Sequence, residues 1–222
     1  MPTALIIGAS RGLGHELARQ YLAARWRVLA TARKAGDCDS LAALGAEPCE
    51  LDVTSAESIA ALGWKLDGEQ LDLAFLCSGV FGPREAGFPT EAQFDEVMHT
   101  NVLGAMRLLP LVAPMVCAAR GKLAVLSSRM GSIGTRTSSF GSLYRASKAA
   151  LNSVLVDTSI VFGPQGATCV AFHPGWVKTD MGGSGADLTA AQSVAGLRAT
   201  LERLTIADNG KFLNYDGTPI PW

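Results

Sequence analysis

The chain has 222 residues, 48% of them hydrophobic, with 19 basic residues against 20 acidic ones and a formal net charge of -1. That length and apolar fraction fit one α/β domain over residues 1–222 with its own core. The near-neutral charge, with no basic arm or stripe, argues against nucleic acid as a partner.

Cys38, Cys49, Cys77, Cys117 and Cys169 are odd in number, widely spaced and free of any C-x-x-C pair, so neither a disulfide framework nor a metal site is expected. The first residues, Met1-Pro2-Thr3, run straight into an aliphatic strand with no basic and apolar leader. The longest apolar passage, Leu108 to Ala119, contains Pro110 and Pro114 and is shorter than the roughly 18 residues that read as a spanning helix. The expectation is a soluble cytoplasmic protein with no membrane partner.

In chain order, aliphatic or β-branched runs at Ala4 to Ile7, Arg27 to Thr31, Pro48 to Leu51, Leu73 to Cys77, Lys122 to Leu126, Thr168 to Phe172 and Lys211 to Asn214 predict strands. Helical periodicity marks Leu13 to Ala24, Ser55 to Leu66, Glu91 to Met106, Leu143 to Phe162 and Thr189 to Leu204. Strands that are almost wholly apolar, alternating with helices, imply a Rossmann-like, doubly wound parallel sheet with helices on both faces. Ligands of such sheets sit beyond the carboxyl ends of the strands.

The first strand leads into Gly8-Ala9-Ser10-Arg11-Gly12-Leu13-Gly14 and directly into a helix. Glycines there permit a tight turn and close backbone approach to a pyrophosphate, and the helix N-terminus offers free N–H groups. As a bare pattern this is weak in a chain with 24 glycines; its place at the first strand-to-helix junction makes it a dinucleotide cradle rather than a structural turn. The second strand ends in Ala32-Arg33, where an NAD enzyme carries an acid for the ribose hydroxyls. Arg33, with Arg11, suits a 2′-phosphate, so NADP(H) is the expected cofactor, with NAD(H) as the alternative; two solvated surface arginines are the plainer reading.

Tyr144 and Lys148 lie four residues apart on one helix face. A phenol ionising near pH 10 is a poor proton-transfer group at neutrality unless a neighbouring cation favours phenolate, and Lys148 is placed to provide that. Ser128, at the exit of the fifth strand, stands where a hydroxyl can hold a carbonyl, although a serine at a strand end is commonly only a turn former.

Together these residues resemble the short-chain dehydrogenase/reductase family, over essentially the whole chain. The loop from Gly8 to Gly14 matches its cofactor motif, with Ile7 in place of the usual threonine. Leu51-Asp52-Val53 resembles the step that holds adenine, and Leu76-Cys77-Ser78-Gly79 stands where the family has asparagine-alanine-glycine, with Cys77 replacing the asparagine. Asn101 matches the asparagine that supports a proton relay to the lysine. The resemblance thus implies a catalytic set of Asn101, Ser128, Tyr144 and Lys148, with Lys148 also bonding the nicotinamide ribose. His173-Pro174-Gly175-Trp176-Val177-Lys178-Thr179 is similar to the proline-glycine segment, implying that Pro174, Gly175, Val177 and Thr179 contact the cofactor.

The run from Ser127 to Gly134 and the ending from Lys211 to Trp222 resemble the C-factor and sniffer branch, similar to carbonyl reductases. The long interval from Ser128 to Tyr144 leaves Ser127 and Ser132 as alternatives to Ser128. The expected chemistry is interconversion of a carbonyl and an alcohol, with Tyr144 moving the proton, on a modest small-molecule substrate under a short lid near 182–196. The competing reading is a cofactor-binding signalling or redox-sensing protein with little turnover, against which the complete tetrad argues. A homodimer or homotetramer is implied, since the apolar helices around Asn101 to Ala119 and Leu143 to Phe162 form the family's dimer interface.

Overall fold

The computed structural model describes residues 1–84 and 87–222. Seven strands, β1 (Thr3–Ile7), β2 (Arg27–Ala32), β3 (Glu47–Glu50), β4 (Leu73–Leu76), β5 (Lys122–Leu126), β6 (Thr168–His173) and β7 (Lys211–Asn214), form one parallel sheet in the order β3-β2-β1-β4-β5-β6-β7. The order reverses between β1 and β4, which opens a crevice at their carboxyl ends.

The all-apolar strands are explained by burial on both sides. Leu5 and Ile7 of β1 face a core formed with Ile59 and Leu62 of α3 (Ala56–Lys65), Leu108 and Val112 of α5 (Gly104–Ala119), and Leu151 and Leu155 of α6 (Ser142–Phe162). Ala4 and Ile6 point the other way, towards Leu17 and Tyr21 of α1 (Gly12–Ala23), Leu41 of α2 (Ala35–Leu44), and Val194 and Leu197 of α7 (Ala190–Arg203). The period-2 alternation within one strand thus feeds two cores.

Three elements differ from the sequence expectation. Helix α2 was not anticipated: only Leu41 of its ten residues is buried, so the segment carries almost no 3.6-residue pattern. The helix expected over Glu91 to Met106 is α4 (Glu91–Met98), a π-helical turn at His99–Leu103, and then α5, which runs on to Ala119 through Pro110 and Pro114. Both prolines are exposed and lie four residues apart, in line with exposed Met106. Their rings therefore face away from the sheet, and the cost of about 3 kcal/mol for proline inside a helix is offset by the buried row Leu108, Leu109, Val112 and Val116. The combined stretch Glu91–Ala119 is apolar enough by composition to cross a membrane, but 44% of its most apolar window is buried in the protein, as in a core helix. Finally, the segment expected as a lid divides: α7 begins at Ala190 and packs on α1, where the Arg198 guanidinium lies 4.8 Å from the Tyr21 ring centroid, so only 182–189 remains outside the helix.

Candidate active site

The glycine loop is built by contacts that tolerate no side chain. Gly8 has φ +86°, and Gly14 packs so closely that a Cβ would lie 2.1 Å from the Gly8 carbonyl oxygen. The loop is pinned on both sides: the Gly8 N–H donates to Thr31 Oγ1 at 3.0 Å, the Ala9 N–H to Thr31 O at 2.8 Å, and the Cys77 N–H to Ile7 O at 2.8 Å. Thr31 is a positioning residue the sequence reading missed; its only signal was a hydroxyl at the end of an otherwise aliphatic strand.

Beyond this loop lies a cleft of about 470 Å³. Gly8, Ser10, Arg11, Gly12, Leu13, Gly14, Arg33, Asp52, Val53, Ser78, Gly79, Tyr144, Lys148, Pro174 and Thr179 all line it. Asn101, Ser128, Gly175 and Val177 do not line it. Gly175 turns the chain with φ +83°, and Val177 pairs with Leu188 to close the base of the 178–187 loop. Thr31, Cys77, Lys178, Asp180 and Met181 also line the cleft and were not assigned to it from sequence.

At the adenine end, Asp52 accepts from the N–H and hydroxyl of Thr54 at 2.8 and 2.7 Å, and these bonds, then Arg33, hold its carboxyl below the usual range. Arg33 stands at the β2 exit with no ion-pair partner among the described residues, and Arg11 pairs with Asp180 at 3.2 Å. Both partners are largely exposed, and such pairs contribute only about 0–1 kcal/mol, which an incoming phosphate can displace.

The reactive end is carried by α6. Its core-facing stripe runs Leu155, Asn152, Leu151, Lys148, Ser147 and Tyr144, all buried, so the face that packs against the sheet changes from leucine to lysine and phenol as it reaches the carboxyl edge. Lys148 Nζ donates to Leu126 O at 2.7 Å and lies 5.7 Å from the Tyr144 ring centroid. Burial pushes the lysine down to about 8. Burial also pushes the Tyr144 phenol up to about 12, with a hydrogen bond from Ser128 pulling it back. Without the cofactor, desolvation is the dominant influence on Tyr144 and favours the protonated phenol.

The three serines separate by their partners. Ser127 is hydrogen-bonded to Asn152 Oδ1, and Ser132 donates to the main-chain oxygens of Pro221 and Trp222 at 2.6 and 3.1 Å. Ser128 Oγ accepts from the Met130 N–H at 3.1 Å, starting a short 3-10 turn at Arg129–Gly131, and lies near enough to the Tyr144 phenol to favour its ionised form. Asn101, in the π-helical turn, accepts from the Val80 N–H at 2.8 Å and donates to Val80 O and Ser147 Oγ at 2.8 and 2.9 Å. Its side chain is spent on joining the β4 exit to α6 rather than on a bond to Lys148. Gly79 is required between them: a Cβ would lie 3.2 Å from Asn101 Oδ1 and 3.3 Å from Lys148 Nζ. Cys77, in the asparagine position, lines the same cleft with a thiol that burial keeps protonated.

A parallel sheet with a glycine cradle at its switch point, and a buried tyrosine and lysine at the far end of the same cleft, define a dinucleotide-binding protein of the Rossmann type. The short chain dehydrogenase family matches residues 2–187. The chain belongs to that family and is an NAD(P)-dependent oxidoreductase. It is 33% identical, over 100% of both chains, to 1-hydroxy-2-glutathionyl-2-methyl-3-butene dehydrogenase of Rhodococcus sp. (strain AD45). Among solved structures it resembles the carbonyl reductase Sniffer of D. melanogaster (29% identity, 100% of both chains, TM-score 0.90). It also resembles a short-chain dehydrogenase/reductase of Burkholderia multivorans with bound NADP (33% identity, 100% of this chain and 99% of that one, TM-score 0.89).

Proposed function

We propose that the protein interconverts a carbonyl and an alcohol with NADP(H), in the manner of a carbonyl reductase. The observation that carries this reading is the buried Tyr144 at one end of the dinucleotide cleft, with Lys148 Nζ 5.7 Å from its ring centroid and Ser128 nearby. When bound, the reduced nicotinamide supplies a hydride to the carbonyl carbon. Ser128 holds the carbonyl oxygen by donating its hydroxyl hydrogen, and Tyr144 donates the proton that completes the alcohol. Lys148, the nearest cation, stabilises the phenolate left behind and favours its reprotonation. Asn101 acts as a positioning residue through Val80 and Ser147.

The cofactor choice rests on Arg33. No carboxylate follows β2 where one would repel a 2′-phosphate, Arg11 is released by breaking one exposed ion pair, and the Burkholderia relative holds NADP. The five cysteines are unpaired, which suits a reducing cytoplasm. Self-association through α5 and α6 is part of the same proposal: Met106, Ile160 and Val161 stand exposed there, at 54%, 67% and 55%, and sedimentation giving a monomer at micromolar concentration would remove it.

The test follows nicotinamide absorbance with NADPH, and separately NADH, against a panel of aldehydes, ketones and diketones. Turnover with NADPH that falls about 10²–10⁴-fold in Tyr144→Phe, the range of general acid catalysis, is the expected result. Turnover unchanged in that variant overturns the assignment of the acid, and tight binding with no turnover on any carbonyl favours the sensor.

A further inference from the structure

The wall beside Tyr144 is aromatic and its rim is guanidinium. The Phe81 ring stacks on the Tyr144 ring at 4.6 Å and meets the Phe140 ring at 5.9 Å. Gly141 packs against the same patch, since a Cβ there would lie 3.0 Å from Met130 Cε and 3.1 Å from Phe81 Cζ. The Arg84 guanidinium carbon sits 4.5 Å from the Phe81 ring centroid, and its Nη2 donates to Met181 O at 2.6 Å. Arg145, adjacent to Tyr144, donates through Nε to Phe140 O at 2.8 Å and through Nη1 to Met130 O at 3.3 Å.

Among the described residues, every partner of these two guanidiniums is a neutral carbonyl or a ring. Among the described residues neither has a carboxylate within ion-pair distance, whereas Arg11, Arg19 and Arg27 each do. Burial disfavours the charge on Arg145, and the nearby Arg136 disfavours it further. The sequence repeats this imbalance on a larger scale. Between Glu96 and Asp180, the stretch that holds Arg136 and Arg145 but not Arg84, the only carboxylate is Asp157, against eight lysines and arginines, in a chain whose total charge is -1.

A guanidinium fork anchored by one or two N–H groups still has others free, in the planar geometry that matches a carboxylate. We infer that Arg84 and Arg145, with Arg136 outside them, form an anion subsite that selects carbonyl substrates bearing a carboxylate beyond an apolar or aromatic spacer, the spacer lying on Phe140 and Met130. The inference deepens the carbonyl-reductase reading and rests on it for the identity of the reacting group.

The experiment compares 4-formylbenzoate with its neutral analogue, methyl 4-formylbenzoate, in NADPH-driven reduction by wild type, Arg84→Gln, Arg145→Gln, the double variant and Arg84→Lys. Both arginines also anchor loops, so the readout is the ratio of kcat/KM for the two aldehydes, which a general disturbance of the site leaves alone. The expected ratio favours the carboxylate at least tenfold in wild type, falls towards one in the double variant, declines with added salt, and is partly restored by Arg84→Lys. A wild-type ratio of one or below, or a ratio the double variant does not change, overturns the subsite. Calorimetric titration of the NADP+-loaded protein with 4-formylbenzoate reads the arginines without turnover. Arginine-dependent binding with no reduction of either aldehyde upholds the subsite and removes the reductase reading; no binding to wild type removes the subsite itself.

Discussion

The two ends of the cleft are built by different means. At the cofactor end the decisive contacts are backbone to backbone: Gly14 against Gly8 O, Cys77 N–H to Ile7 O, and Ala9 N–H to Thr31 O. At the substrate end they are side chains on loops, with Phe140, Trp176 and Met181 exposed at 53%, 54% and 38%. The loop after β6 is held mainly by its own bonds, Trp176 Nε1 to Gly182 O at 2.8 Å and the Lys178 N–H to Leu188 O at 2.8 Å. Backbone contacts fix a site to one ligand shape, whereas exposed side chains on short loops can change what the same chemistry acts upon.

The sharpest break of this contrast is Gly14→Ala. Its methyl group cannot coexist with the Gly8 oxygen, so the loop must move; overpacking of this kind costs about 1–3 kcal/mol. NADPH affinity should fall at least about 100-fold, because the helix N-terminus and loop no longer meet the pyrophosphate together, as read by fluorescence titration beside a thermal melt. A comparable change on the substrate wall, Phe140→Ala, should alter KM among carbonyls while leaving NADPH affinity within about twofold, as expected of a loop side chain outside the cofactor cradle.

The pH dependence comes next. Lys148 is depressed from its ordinary value to about 8, so it is an ammonium below that pH and neutral above it, whereas Tyr144, raised to about 12, keeps its proton throughout. Reduction should therefore decline above pH 8 by up to about tenfold per unit, along a single-proton limb. Lys148→Arg, which cannot lose its charge in this range, should move the limb to higher pH even if the plateau is lower. A limb that stays in place with arginine would assign it elsewhere.

Arg33→Ala should reduce the preference for NADPH over NADH by about tenfold, the worth of one charge-assisted phosphate contact, in paired kcat/KM measurements. The smallest effect expected is that of Ser132→Ala. Its hydroxyl ties the loop after Ser128 to Pro221 and Trp222, and loss of such a bond costs about 1 kcal/mol, a drop of a few degrees in Tm with cofactor affinity retained.

What the sequence made legible follows the same division. The strands, the glycine cradle and the Tyr144–Lys148 face were readable because each is a local pattern: period 2, period 3.6, or a fixed spacing at a strand exit. Asn101 was readable only through family resemblance, since its role depends on a π-helical turn and on Val80 and Ser147, far away in the chain. Arg11 and Arg33 both line the cleft, but the ion pair of Arg11 with Asp180, which the chain returns to the cleft mouth after β6, is a long-range contact with no sequence signature. The segment proposed as a lid near 182–196 spans a loop and the first turns of α7, a boundary marked in sequence by Thr189. The structure makes it the cap of α7, in a capping box with Gln192. The spacing of Tyr144 and Lys148 conveys their proximity but not their burial, which is the larger influence on both groups in the protein without cofactor.

The most direct test of the central claim uses NADPH deuterated at the transferable C4 position, with whichever carbonyl of the panel is reduced. Mass spectrometry of the product should find the deuterium on the carbinol carbon for wild type, with formation of that product slowed at least about 100-fold in Tyr144→Phe while NADPH still binds. Bound NADPH with no label transferred to any carbonyl, or transfer undiminished in the phenylalanine variant, would contradict the account.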